Sequence, residues 1–173
     1  IGSISKLMTA MVFLDGAPDL QSWVTVSEDD YVGGGRAYLA YDDAVRLGDV
    51  LTTSLVGSDN TATEALARLS GLPREEFIAR MNAKAQEFGL SATSFADPSG
   101  LSAENQSTAR EVSAMLAQAV GYDEITSRTK LRTATVTQAS GNSVTISSTN
   151  ELLSSSFLAS GFDLLVGKTG YIP

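Results

Sequence analysis

The sequence predicts an α+β fold in one domain, a helix-rich body followed by a small antiparallel sheet. Three observations predict it. Apolar residues recur at steps of three and four through most of the N-terminal two thirds, the period of buried helix faces. After about residue 130 the pattern changes to short runs of alternating β-branched residues. A length of 173 residues with 43% hydrophobic content suits one domain with a real core rather than two.

The elements follow in order. From Ser3, the apolar positions Ile4, Leu7, Met8, Met11, Val12 and Leu14 mark a largely buried helix that Gly16-Ala17-Pro18-Asp19 ends. Trp23 to Val26 reads as a short strand. Gly33-Gly34-Gly35 reads as a plain loop, because no phosphate-binding pattern follows it. Leu47 to Leu55 reads as a helix that breaks at Gly57-Ser58-Asp59-Asn60. The next helix carries Ala62, Ala65, Leu66 and Leu69, and Gly71 stops it. Pro73 opens another, with Phe77, Ile78, Met81, Ala85 and Phe88 on one face and Gly89 at its close. Residues 91–106 are irregular. Thr108 and Glu111 fit a capping box, and the helix they open turns Ala109, Val112, Met115, Leu116 and Ala119 inward. Thr133 to Thr137 and Val144 to Ser148 form a hairpin around Ser140-Gly141-Asn142. Leu164, Leu165 and Val166 begin a last strand that runs through Lys168-Thr169-Gly170 and on into Ile172-Pro173.

Missing residue types narrow the chemistry. The net charge of −8 repels phosphate backbones, so nucleic acid is not an expected partner. The chain has no His and no Cys, which excludes a Ser-His-Asp triad, thiol catalysis and Cys-ligated zinc. No cofactor or metal is expected. An enzymatic base must then be Lys, Asp, Glu or Tyr. No apolar run reaches the roughly 18 residues of a membrane span, and no signal peptide is visible. The chain opens at Ile1 at the edge of a helix and closes inside the expected last strand, so both ends read as truncated.

Three short motifs stand in order: Ser3-Ile4-Ser5-Lys6, Ser58-Asp59-Asn60 and Lys168-Thr169-Gly170. They match the S-x-x-K, S-x-N and K-T-G set of penicillin-interacting serine enzymes. Each alone is weak. S-x-x-K recurs at Ser127-Arg128-Thr129-Lys130, and S-x-N recurs at Ser140-Gly141-Asn142 and Ser148-Thr149-Asn150. Only Ser3 opens a long apolar helix, whereas Ser140 sits in a hairpin turn where Ser, Gly and Asn serve the backbone. Ser3 and Lys6 lie nearly one helical turn apart, so the amine can reach the hydroxyl. A Lys that is desolvated, or close to a second cation such as Lys168, has a lowered pKa and can accept a proton. The helix N-terminus adds free N–H groups and positive potential beside Ser3, which suits an oxyanion hole.

Longer segments carry the resemblance further. Ser3 to Ala10 resembles the nucleophile segment of the low-molecular-mass D-alanyl-D-alanine carboxypeptidases, the penicillin-binding proteins of serine peptidase family S11. Leu55 to Ala67 resembles their S-x-N helix junction. Asp97-Pro98-Ser99-Gly100-Leu101-Ser102 with Ser107-Thr108-Ala109-Arg110-Glu111 is similar to a further family signature, and Asn150-Glu151-Leu152-Leu153 with Gly167 to Tyr171 to its closing segment. The resemblance implies a β-lactamase/transpeptidase-like fold over residues 1–173. It implies that Ser3 attacks the carbonyl between two terminal D-alanines of a peptidoglycan stem peptide and that Lys6 takes its proton. Ser58 would relay a proton toward the leaving group, and Asn60 would orient Lys6 and the substrate amide. Lys168 and Thr169 would hold the terminal carboxylate beside Gly170. The N–H groups of Ser3 and Tyr171 would form the oxyanion hole. β-Lactam antibiotics would acylate Ser3, and the setting would be the bacterial cell envelope.

Relatives in that family continue past both ends of this chain, with strands before the nucleophile helix and further strands and a helix after K-T-G. Membrane association would come only through segments not present here. Two rivals follow from the motifs. A class A β-lactamase would need an E-x-x-L-N segment after Ser58-Asp59-Asn60, and Glu104-Asn105 lacks that pattern. An inactive or wall-binding homologue would keep the fold without the chemistry.

Overall fold

Helix α1, Ser5–Asp15, is the axis of the core, and every residue from Ser5 to Phe13 is buried. A helix apolar on nearly all sides packs only in the middle of a protein, and the helices around α1 are arranged accordingly. This computed structural model describes residues 1–159 and 161–171. Ser3 lies in a 3-10 turn, Gly2–Ile4, that runs straight into α1.

Five helices pack on α1: α2 (Leu47–Val56), α3 (Asn60–Leu69), α4 (Arg74–Glu87), α5 (Ala109–Ala119) and α6 (Asp123–Thr129). Their apolar stripes supply Val50, Leu51, Leu66, Phe77, Met81, Met115 and Ile125 to one continuous core. The ends of α3 and α5 are closed by side chains. Asp59 accepts from Ala62 N–H at 3.0 Å, and Thr108 from Glu111 N–H at 3.2 Å, each satisfying a donor that the helix itself cannot.

Two small sheets border this body. Strand β1 (Trp23–Val24) pairs antiparallel with β2 (Val45–Arg46). Strand β3 (Thr133–Thr137) pairs with β4 (Ser143–Ser147) in the register Thr135↔Thr145. Val136 and Ile146 point from this hairpin into the core, while their neighbours face outward, as the pleat requires.

Four sequence expectations change. Helix α6 was not expected, because its seven residues bury only Ile125 and Thr129 and so show no apolar period. The Thr108–Glu111 capping box is half formed. The Glu111 carboxylate turns instead to Ala92 N–H, at 3.0 Å, and to the Thr93 hydroxyl, at 2.6 Å. The partner of β1, Val45–Arg46, carried no alternation long enough to read. Finally, the expected strand through Lys168-Thr169-Gly170 is not one: residues 162–171 belong to no sheet among the described residues. A strand exists only as one rail of a ladder, and this segment instead meets its neighbours through the side chains of Ser58 and Thr149. Its expected continuation into Ile172-Pro173 lies outside the described residues.

Candidate active site

The site grows from the first turn of α1. Lys6 sits one turn beyond Ser3 and is wholly buried. Its Nζ lies 3.0 Å from Ser3 Oγ, 2.6 Å from Asn60 Oδ1 and 2.5 Å from the Ser99 carbonyl. Those three acceptors match the three hydrogens of an ammonium group. None of them is a carboxylate. Burial pushes the amine from its ordinary 10.5 down to about 8, against the pull of Asp97, Asp59 and Glu64. Of the two causes weighed for a lowered Lys6, desolvation leads. The mutual charge effect falls on Lys168.

The junction between α2 and α3 supplies the second group. Ser58 has φ 56°, a left-handed backbone that is rare outside glycine and costs about 1–3 kcal/mol. Its surroundings enforce it. A Cβ on the preceding Gly57 would stand 2.7 Å from Ile146 and 2.8 Å from Tyr38, so the chain passes there only as glycine. Asp59 grips the far side, accepting from Tyr38 N–H at 2.9 Å while it caps α3. Burial raises the Asp59 pKa, and those N–H donors counter it. Asn60 is the first residue of α3. Its Oδ1 faces Lys6 and its Nδ2 donates to Gly33 O at 2.9 Å, so the two faces of the amide are told apart by their partners. The glycine triplet is thus a loop, as expected, but one whose backbone holds a site residue.

The third group comes from the C-terminal segment. Lys168 Nζ donates to Ser58 Oγ at 2.8 Å and to the Thr169 carbonyl at 3.2 Å. Burial of the amine, then the charge of Lys6, pushes Lys168 down to about 7. Thr169 Oγ1 is 2.5 Å from Thr149 Oγ1. Gly170 lies against the nucleophile turn, since a Cβ there would be 3.0 Å from both Ile1 O and Ile4 Cγ1. Tyr171, next along the chain, is 81% exposed.

The structure therefore brings the sequence-predicted residues together as two Ser–Lys pairs, Ser3–Lys6 and Ser58–Lys168. With its three hydrogens engaged elsewhere, Lys6 does not donate to Ser58. None of the decoy motifs supplies a Ser–Lys or Lys–Asn contact of this site, although Thr149 of one of them meets Thr169. Ser127 and Lys130 are exposed on and after α6. Ser140 is bound to Asp43, and Asn150 caps a 3-10 turn at Glu151–Ser154. A cavity of about 590 Å³ opens at the other end of α1, between Phe13, Leu69, Leu72 and Lys84, and no site residue lines it. Among the described residues no group of three or more His, Cys, Asp or Glu side chains could hold a metal ion.

Residues 1–172 match the model of the family described as D-alanyl-D-alanine carboxypeptidase. The chain belongs to the D-alanyl-D-alanine carboxypeptidase family. It is 35% identical to a D-alanyl-D-alanine endopeptidase of Haemophilus influenzae, over 99% of this chain and 58% of that relative. It is 31% identical to the D-alanyl-D-alanine carboxypeptidase DacF of Bacillus subtilis, over 72% of this chain and 33% of that relative. Among solved structures, the Streptomyces K15 DD-transpeptidase matches with a TM-score of 0.86 at 29% identity, over 99% of this chain and 71% of that one. The transpeptidase-like α+β fold expected from the sequence is the one observed. This member of the carboxypeptidase family spans 58% of the length of its Haemophilus relative.

Four groups at the site were not singled out by sequence reasoning: Gly33, Asp59, Asp97 and the Ser99 carbonyl. Asp59 had a readable signal, an Asp directly before an apolar helical run. Asp97 and Ser99 stood in a quoted family signature with no role attached. The carbonyls of Gly33 and Ser99 carry no residue-type signal at all.

Proposed function

We propose that this chain carries the acyl-transfer centre of a serine D-alanyl-D-alanine carboxypeptidase, with Ser3 as nucleophile. The observation that carries the reading is a fully buried Lys6 amine, 3.0 Å from Ser3 Oγ and with no carboxylate bonded to it. Neutral Lys6 accepts the Ser3 proton as Oγ bonds to the carbonyl carbon of the penultimate D-alanine. The oxyanion that forms is held by the N–H groups of Ser3 and Tyr171. Collapse breaks the peptide bond, and the proton that Lys6 took from Ser3 passes through Ser58 to the departing D-alanine nitrogen, which restores the neutral amine. Water then cleaves the ester, giving the shortened stem peptide and free Ser3.

Lys168 and Thr169 hold the terminal carboxylate. Thr169 Oγ1 exchanges its contact with Thr149 for that anion, and Gly170 leaves room for the substrate backbone. Asn60 orients both Lys6 and the substrate amide. β-Lactams, which mimic the D-Ala-D-Ala end, acylate the same Ser3. The substrate places the enzyme at the bacterial cell envelope. No helix among the described residues is long and apolar enough to cross a membrane.

A second reading has one specific support: the Haemophilus relative that aligns with nearly the whole chain is a D-alanyl-D-alanine endopeptidase. Cleavage of cross-links uses the same bond-breaking steps on a longer leaving group. The test is a fluorescent penicillin followed by peptide mass mapping. A lasting adduct on Ser3, absent in Ser3→Ala, is the expected result. Equal labelling of both forms would overturn the assignment, and rapid β-lactam turnover would point to a lactamase. Product analysis on linear and cross-linked peptides then separates release of D-alanine from cutting of the bridge.

A further inference from the structure

The buried amine of Lys6 depends on a loop that none of the three motifs contains. Residues 96–102 run along one stripe of the nucleophile helix. The Ser99 carbonyl accepts from Lys6 at 2.5 Å, and the Pro98 carbonyl from the Thr9 hydroxyl at 2.6 Å. Asn105 ties Ser5 Oγ to the Asp97 carbonyl, with 2.9 Å to each, and its Oδ1 accepts from Ala96 and Asp97 N–H. Gly100, at φ +88°, passes so close that a Cβ would lie 2.0 Å from Gly2 O. The loop and Asn105 together thus meet Gly2, Ser5, Lys6 and Thr9, the positions that share one helix face.

A single carboxylate gives this loop its shape. Asp97 Oδ1 accepts from Ser99 Oγ at 2.9 Å, Gly100 N–H at 2.5 Å and Leu101 N–H at 3.2 Å, and Oδ2 accepts from Ser102 N–H. Asp97 is itself buried. Burial opposes its ionisation. The N–H groups of Ser102 and Gly100, with the Ser99 hydroxyl and Leu101 N–H, more than offset that and hold its pKa below the ordinary carboxylate range. It is therefore an anion at neutral pH, close to Lys6 but not bonded to it.

We propose that Asp97 is a positioning residue for the Ser3–Lys6 pair: by folding residues 99–102 around its carboxylate it fixes the Ser99 carbonyl on Lys6 Nζ and sets its own charge against that amine. This rests on the acyl-transfer reading above. The other charged groups that face Lys6 are Asp59 at the α2–α3 junction, Glu64 on α3 and Lys168 on the C-terminal segment. Asp97 stands first among the groups that hold the Lys6 proton on. Its loss acts twice in one direction, removing a negative charge and loosening a carbonyl that both favour the ammonium form. The acid-side limb of the acylation profile, where Lys6 loses its proton, then moves to lower pH.

The experiment is the rate of acylation by a fluorescent penicillin between pH 5 and 9.5, for wild type, Asp97→Asn, Asp97→Glu and Ser3→Ala, with folding checked by circular dichroism. Asp97→Asn is expected to lower the plateau rate about tenfold to a hundredfold, the usual cost of a misplaced reacting group. It is also expected to move the limb measurably toward acid. Asp97→Glu keeps the charge but not the reach, so its limb stays near wild type while its plateau falls. A lowered plateau with an unmoved limb in Asp97→Asn means a merely structural carboxylate and overturns the proposal, as does an unchanged profile. If Asp97→Asn does not fold, Ser99→Ala takes its place. It removes one of the four donors that fold the loop around Asp97, so the Ser99 carbonyl loosens and the plateau falls a few-fold; a wild-type profile there also overturns the proposal. Failure of the underlying reading looks different: wild type and Ser3→Ala label alike.

Discussion

The two lysines of the site are held in opposite ways. Lys6 rises from a helix buried from Ser5 to Phe13, and its amine is fixed by groups from the α2–α3 junction and from residues 96–102. Lys168 rises from a segment with no regular secondary structure, in which no described residue from 161 to 171 is buried. Its contacts are two hydrogen bonds, one of them to the next residue along the chain. The two halves of the proposed chemistry thus take their geometry from different levels of the structure. The proposed base is built into the core, so its place is as stable as the fold. The cation proposed to hold the substrate carboxylate is placed by contacts of its own side chain.

The sharpest way to break this contrast is at the base. Lys6→Arg keeps a positive charge but cannot give up its proton, so acylation by a labelled penicillin should fall about 10²–10⁴-fold. A near-wild-type rate would show that Lys6 is not the base. Packing gives the next largest effect. Leu51, wholly buried on α2, should cost about 2–5 kcal/mol when cut to Ala. Leu165, 57% exposed in the C-terminal segment, should cost no more than about 0.5 kcal/mol. Urea melts of the two variants measure it, and equal losses would mean that the segment is part of the core after all.

Lys168→Ala should raise KM for a peptide carboxylate about tenfold or more while a neutral ester substrate is turned over nearly as before, because one charge-assisted contact is lost and the base is untouched. Steady-state kinetics on the two substrates checks it. The smallest effect is in the pH profile. Lys6 works as a neutral amine, so kcat/KM should rise as pH passes through about 8. Lys168 works as a cation, so substrate capture should fall as pH rises through about 7. The product is a narrow bell, and Lys168→Ala should remove its alkaline limb and leave the rising one.

Much of this was legible in the chain. The helices with a clear apolar stripe, α1 to α5, declared themselves through steps of three and four, since a helix buries one face whatever surrounds it. The hairpin declared itself by alternation and a turn rich in Gly, Ser and Asn. Ser3 and Lys6 could be paired on paper because three residues make nearly one turn. What escaped were features that depend on a partner. Helix α6 has too few buried positions to show a period, and β1–β2 is too short to alternate. The segment around Lys168 has a strand's composition but pairs with no strand among the described residues.

The helical body, the hairpin and the local Ser3–Lys6 pair could be read from the chain because each depends on residues close in sequence, three or four positions apart in the helices and no more than 14 in the hairpin. Tertiary structure alone decided which of the recurring Ser–Lys and Ser–Asn motifs meet. Asn60 comes to Lys6 across 54 positions and the Ser99 carbonyl across 93. Lys168 comes to Ser58 across 110. Motif spacing carries no information over such distances; burial does. Lys6 lost its water and took three fixed acceptors in exchange, while Lys130 in an identical motif stayed in solvent.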